Sequence, residues 1–158
     1  MKRLLPAAAL LALLSGPALA IEVDRTVDLD APPDEVWSMV GPWCAIGDWH
    51  PAVATCTESE EAGKERRLLV LQGGGEILEE ETSRDDAARQ YGYRILKSPL
   101  PVSDYKSTIT VDSVGEGKSR VVWKSTFAPK DASQEEAQAA IAGIYEAGLA
   151  EIKARMEE

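Results

Sequence analysis

Apolar and polar residues alternate along residues 23–30: Val23, Val27 and Leu29 fall on one side with Arg25, while Asp24, Thr26 and Asp28 fall on the other. A period of two is the spacing of a half-buried strand. Ala31-Pro32-Pro33-Asp34 ends that strand and opens a helix, because a first helical turn accepts proline. Residues 35–40 bring Val36, Trp37 and Val40 together at helical spacing, and Gly41-Pro42 stops the helix. A second short helical turn is predicted over residues 43–49, ended by Pro51. Six further strands are predicted over residues 54–59, 66–71, 76–83, 90–97, 105–114 and 119–127. Their links are short and turn-forming: Ala62-Gly63-Lys64, Gly73-Gly74-Gly75, Asp85-Asp86, Pro99-Leu100-Pro101 and Gly115-Glu116-Gly117. Consecutive strands joined in this way form an antiparallel meander.

The period changes after Asp131. Ser133, with Glu136 three residues later, has the form of a helix-capping box. Ala137, Ile141, Ile144, Tyr145, Gly148, Leu149 and Ile152 then recur along one helical stripe, opposite Glu135, Glu146, Glu151, Lys153 and Arg155. A helix over residues 134–156 is about 34 Å long, enough to cross a small sheet. The predicted fold class is α+β: a seven-stranded curved antiparallel sheet, two short helices, and one long C-terminal helix over the concave face. The space between sheet and helix is where a small molecule would sit.

The first twenty residues bear on location rather than fold. Lys2 and Arg3 precede an apolar stretch over residues 4–14, and Ala18-Leu19-Ala20 is a small-x-small cleavage site. Residues 1–20 are expected to be a signal peptide cleaved after Ala20. That leaves a single domain over residues 21–158, exported to the periplasm with no membrane anchor after cleavage. In that compartment Cys44 and Cys56, the two cysteines of the chain, are chemically free to pair. The sequence leaves open whether they do, since it does not show the separation of their Cα atoms.

Acidic residues outnumber basic ones 27 to 17, for a formal net charge of −10, and loss of Lys2 and Arg3 makes the mature chain more acidic still. Such a surface repels phosphate backbones and anionic lipid, which argues against a nucleic-acid partner. It is compatible with a basic partner protein.

Candidate chemistry is sparse. His50 is the only histidine, flanked by Trp49 and Pro51. Cys44 and Cys56 lie six residues to either side, a spacing that matches no closed zinc site. No nucleophile-elbow motif accompanies it. His50 reads either as a polar group in a pocket or as a hydrogen-bonded structural residue. Glu79 shares a strand face with Ile77 and Glu81, either on a solvated edge or lining a pocket. Gly73-Gly74-Gly75 has neither the lysine nor the strand-to-helix setting of a phosphate-binding loop, so no cofactor and no metal are expected. Alternation turns Trp123 inward with Val121 and Phe127, and sets Tyr105, Ser107 and Ile109 on a common face.

With these residues in hand, the chain resembles the START/Bet v 1-like superfamily (SRPBCC; polyketide cyclase/dehydrase and lipid transport), of helix-grip fold. The resemblance rests on Trp49-His50-Pro51-Ala52-Val53, Tyr91-Gly92-Tyr93, Pro99-Leu100-Pro101 with Tyr105-Lys106-Ser107, residues 123–127, and Tyr145-Glu146-Ala147-Gly148-Leu149. It is similar to an exported bacterial branch that includes methanol-oxidation accessory proteins of the MxaD type, and more distantly to plant abscisic acid receptors. The receptor likeness implies a gate over residues 72–76 and a latch over residues 98–104. It also implies His50 and Glu79 in the pocket, with Tyr93, Ile95, Tyr105 and Ser107 on the cavity face, and it would turn Lys124 inward in place of Trp123. The triple glycine departs from the receptors' gate, and the latch lacks their histidine and arginine.

The candidate ligand-contacting set is His50, Leu68, Val70, Glu79, Tyr93, Ile95, Tyr105, Ser107, Trp123, Ile144 and Gly148. The leading expectation is an exported binding protein for a small hydrophobic or lipid-like molecule, with no catalytic residue assigned. One alternative is a periplasmic accessory protein for a redox enzyme such as methanol dehydrogenase. Another is a cyclase or dehydratase using His50 and Glu79 as acid and base.

Overall fold

The computed structural model describes residues 20–158. Apart from Ala20, the expected signal peptide lies outside the described residues. The chain runs β1 (Ile21–Leu29), α1 (Pro33–Val40), α2 (Ile46–Trp49), β2 (Val53–Glu61), β3 (Lys64–Leu71), β4 (Glu76–Asp85), β5 (Gln90–Lys97), β6 (Val102–Gly115), β7 (Lys118–Pro129) and α3 (Gln134–Met156). The seven strands form one sheet in the order β1-β7-β6-β5-β4-β3-β2, and every neighbouring pair is antiparallel. Strands β2 to β7 are the predicted meander. The α1–α2 link carries the chain from one edge of the sheet, β1, to the other, β2.

Bulges bend the sheet. The register slips between Leu78 and Glu79 and again between Glu81 and Ser83 on β4, and between Ser103 and Lys106 on β6. Each extra residue increases local twist and curls the sheet. Along β7, Ser119, Val121, Trp123, Ser125 and Phe127 are buried in strict alternation. Trp123 therefore faces inward, as alternation predicts, and Lys124 does not.

The stripe on α3 lies on the concave face and packs chiefly against β1 and β7. Ser133 caps it: its Oγ accepts from Glu136 N at 3.1 Å, and the Glu136 carboxylate accepts from Ser133 N at 2.7 Å. Because the helix rests on the β1–β7 side, the concave face of β3, β4 and β5 is left to line a cavity.

Cys44 and Cys56 are disulfide-bonded, with Cα atoms 5.5 Å apart. The bond ties the α1–α2 link to β2, and closing so short a loop contributes about 3 kcal/mol in the chain-entropy picture.

Candidate functional site

A cavity of about 210 Å³ lies between the sheet and α3. Ile46 of α2 and Val53 of β2 close one end, Leu69 and Leu71 of β3 with Ile77 of β4 form the floor, and Ile141 and Ile144 of α3 form the roof. Leu100, from the β5–β6 link, lies at the rim with Ile95. An apolar cavity of about 150 Å³ can hold benzene, so this one suits a small ring with one or two substituents. An extended lipid chain would not fit without rearrangement.

Polar groups converge on one side. Trp123 Nε1 donates to Tyr93 Oη at 3.0 Å and to Ser107 Oγ at 3.1 Å. Ser107 Oγ gives its own proton to the carbonyl of Lys124 at 3.0 Å and meets Tyr145 Oη at 3.0 Å. Tyr145 Oη is in turn hydrogen-bonded to Tyr105 Oη, which lies 3.5 Å from Tyr93 Oη. The Tyr145 ring stacks on Trp123 with centroids 4.2 Å apart. Burial pushes the phenol pKa of Tyr145 up to about 12 and those of Tyr93 and Tyr105 well above their ordinary range, so all three are neutral phenols.

Glu79 enters the cavity from β4. Its Oε2 accepts from Arg67 Nε at 2.6 Å, and Arg67 is completely buried. The pairing follows from the register, which sets Arg67 directly opposite Glu79. The guanidinium lies 3.9 Å over the Trp43 ring and 5.1 Å from that of Tyr93, contacts that favour a buried cation. Burial raises the Glu79 pKa above the ordinary carboxylate value, opposed by the Arg67 charge. Burial also works against the Arg67 charge, but the Glu79 carboxylate beside it outweighs this and raises that pKa further.

His50 lies at the end of α2, and both its ring nitrogens are engaged. Nδ1 accepts from Ala52 N at 3.1 Å, so the proton is on Nε2, which donates to the carbonyl of Ile144 at 2.9 Å. The ring thus staples the start of β2 to α3. Burial lowers its pKa, partly opposed by the bond to Ile144, and the neutral form is the one held. Gly148 makes the staple possible: a Cβ there would lie 2.7 Å from His50 Cδ2 and 2.9 Å from Trp123 Cζ3.

Of the predicted set, His50, Glu79, Tyr93, Ile95, Tyr105, Trp123 and Ile144 line the cavity. Four do not. Leu68 and Val70 are a correction of one residue in phase: Leu69 and Leu71 line the cavity, and Leu68 and Val70 belong to the opposite face of β3. Ser107 anchors the tyrosines from beneath, and Gly148 makes room for the walls. His50 is a cavity wall whose nitrogens are used by the backbone. It and Glu79 both line the cavity and share no hydrogen bond among the described residues. Residues 72–76 and 98–104 do meet, since a Cβ on Gly75 would lie 3.4 Å from Pro99 Cγ. The second of these segments already enters β6 at Val102. Arg67 and Tyr145 were missed as site residues. The signal for Arg67 was a buried-side glutamate on the next strand that needed a counter-charge.

Seven antiparallel strands curled about one long C-terminal helix, with an apolar cavity between, define a helix-grip ligand-binding fold of the START/Bet v 1 type. The chain belongs to the polyketide cyclase / dehydrase and lipid transport family, whose model matches residues 20–157. It is similar to the protein XoxI from Bacillus cereus, with 30% identity over 87% of this chain and 96% of that one, and a TM-score of 0.82. The fold is shared with the Zhui aromatase/cyclase from Streptomyces sp. R1128 at 18% identity, covering 88% of this chain and 94% of that one, TM-score 0.67. It is shared too with a START superfamily protein from Mycobacterium smegmatis at 14% identity, covering 86% and 97%, TM-score 0.72. No curated protein matches the chain.

Proposed function

We propose that the chain is an exported, non-covalent binding protein for a small hydrophobic molecule held between the sheet and α3. The observation that carries the reading is the cavity of about 210 Å³, apolar on most sides, with polar groups gathered at the Glu79 and tyrosine side. Binding would be driven by removing the ligand's apolar surface from water, at roughly 25 cal/mol per Å². The Cys44–Cys56 disulfide supports export, since such bonds persist in oxidising compartments. Native mass spectrometry of protein recovered from the compartment to which it is exported tests both parts. The expected species begins at Ile21, carries the disulfide and retains a small adduct. Protein that keeps Met1, or that shows neither adduct nor thermal shift with any small apolar compound, would overturn the corresponding part.

A second reading draws on the net charge of −10 and the likeness to XoxI, which fits the MxaD-type resemblance. In it, the acidic exterior docks a basic periplasmic protein as an accessory to a redox enzyme such as methanol dehydrogenase. Exposed charges are screened beyond about 8 Å at physiological salt, so such association should weaken steeply as salt is raised. Salt-independent binding would count against it.

A further inference from the structure

The hydroxyl protons around the cavity can be assigned one by one, and the assignment restricts the ligand. A carbonyl only accepts, so the single proton of Ser107 goes to Lys124 O. Ser107 Oγ must then accept from Tyr145, which uses the Tyr145 proton. The contact between Tyr145 and Tyr105 therefore carries the Tyr105 proton. The 3.5 Å contact between Tyr105 and Tyr93 has only the Tyr93 proton left to fill it. His50 Nε2–H is given to Ile144 O and Trp123 Nε1–H to Tyr93 and Ser107. Apart from the long Tyr93 contact, every side-chain donor on the cavity wall is committed within the protein.

Acceptors are not. Glu79 is 4% exposed and lines the cavity. Its Oε2 takes Arg67, and its Oε1 has no hydrogen-bond partner among the described residues. Arg67 Nη2, by contrast, is buried without a partner, and Arg67 does not line the cavity.

We infer that the cavity selects a neutral hydroxylated ligand, a small phenol or aryl alcohol, whose O–H donates to Glu79 Oε1. This rests on the binding function proposed above. A carboxylate ligand would meet the Glu79 carboxylate, with only the weakly held Tyr93 hydroxyl left to donate to it. An ammonium ligand would place a second cation beside a carboxylate already neutralised by Arg67, at a net desolvation cost. A neutral donor satisfies Oε1 without changing the buried charge.

Calorimetric titration at pH 7 with toluene, benzyl alcohol, benzoate and benzylamine, which share one ring skeleton, tests the inference. Benzyl alcohol should bind about tenfold or more tighter than toluene, as a hydrogen bond to a charged group gives. Benzylammonium should bind more weakly than the alcohol, and benzoate weakest of all. In Glu79→Gln the alcohol preference should shrink. Because that variant leaves Arg67 unpaired, the double variant Arg67→Met/Glu79→Leu serves as the second arm, with a ratio of alcohol to toluene affinity near one. Toluene or benzoate equal to the alcohol, or benzylammonium above it, would overturn the inference while leaving the cavity function standing. Failure of all four to bind would overturn both.

Discussion

Glu79 and Glu80 are neighbours on β4, each pairs with an arginine of β3, and each is 4% exposed, yet they sit on opposite faces of the sheet. Glu79 faces the cavity and a completely buried Arg67. Glu80 lies on the outer face between Arg66 and Arg94, whose side chains keep 21% and 49% of their exposure. Burial dominates the first, raising its pKa. Burial also opposes charge on the second, but hydrogen bonds from Arg94 and Arg66 outweigh it, and its pKa falls. The inner face makes charge costly, and the outer face holds it among partners that still touch water.

The largest expected effect breaks this pair apart. Glu79→Ala leaves Arg67 charged, buried and unpaired, and should lower stability by about 3–5 kcal/mol in denaturant unfolding. Glu80→Ala should lower it by much less, because Arg66 retains Glu61 and Arg94 can turn to solvent. Equal losses would mean that the two faces do not differ as described. The double variant Arg67→Met/Glu79→Leu should recover most of the loss, since apolar residues of similar volume can replace a buried pair.

The next tests act on the supports of the inner face. Cys56→Ser should lower stability by about 3 kcal/mol by freeing the link that carries α2 and His50. An unchanged melting temperature would show that packing alone holds that wall. Gly148→Ala drives a Cβ into His50 and Trp123, at 2.7 and 2.9 Å. It should cost about 1–3 kcal/mol and weaken toluene and benzyl alcohol binding together, because the roof moves. The same substitution at Gly143, where a Cβ meets nothing within 4 Å, should be neutral or slightly stabilising.

Element order was legible because the period changes cleanly from two to that of a helix at Ser133, and glycine, proline or the Asp85-Asp86 pair marks the links. Trp123 was placed correctly because β7 alternates without interruption. The phase of β3 was not legible, and the reason is local. Arg66-Arg67-Leu68-Leu69-Val70-Leu71 is apolar on both faces, and either phase buries one arginine. Only the pairing of Arg67 with Glu79 across the ladder decides it, and that is a fact about register. His50 was half legible. Its place in the cavity wall follows the resemblance, but a backbone carbonyl 94 residues away takes its proton, and no side-chain pattern announces a backbone acceptor.

The smallest effect separates the two faces by pH. The His50 pKa lies below its ordinary 6.5 because burial penalises the charged ring, and the Glu80 pKa lies below its ordinary 4.5 because two arginines favour the carboxylate. Both groups resist a proton in the folded state more than in the unfolded one, so both shifts have the same sign: stability is present above the unfolded pKa and lost as pH falls through the folded one. The windows differ. The His50 loss should begin near pH 6.5 and level off below its folded pKa. The Glu80 loss should begin only near pH 4.5, alongside that of Asp28, which Arg120 holds down in the same way. For the buried imidazole the change is at most about 1.4 kcal/mol per pH unit. His50 is the chain's only histidine, so a His50→Gln variant should lose the fall in stability that begins near pH 6.5 and keep the lower step; what pH dependence remains above pH 4.5 has the opposite sign, because the raised Glu79 pKa favours the folded state as pH falls. Glu80→Gln should keep the upper step and lose part of the lower one. If His50→Gln leaves the upper step intact, the imidazole is not buried neutral between Ala52 and Ile144, and the wall it staples is held by something else.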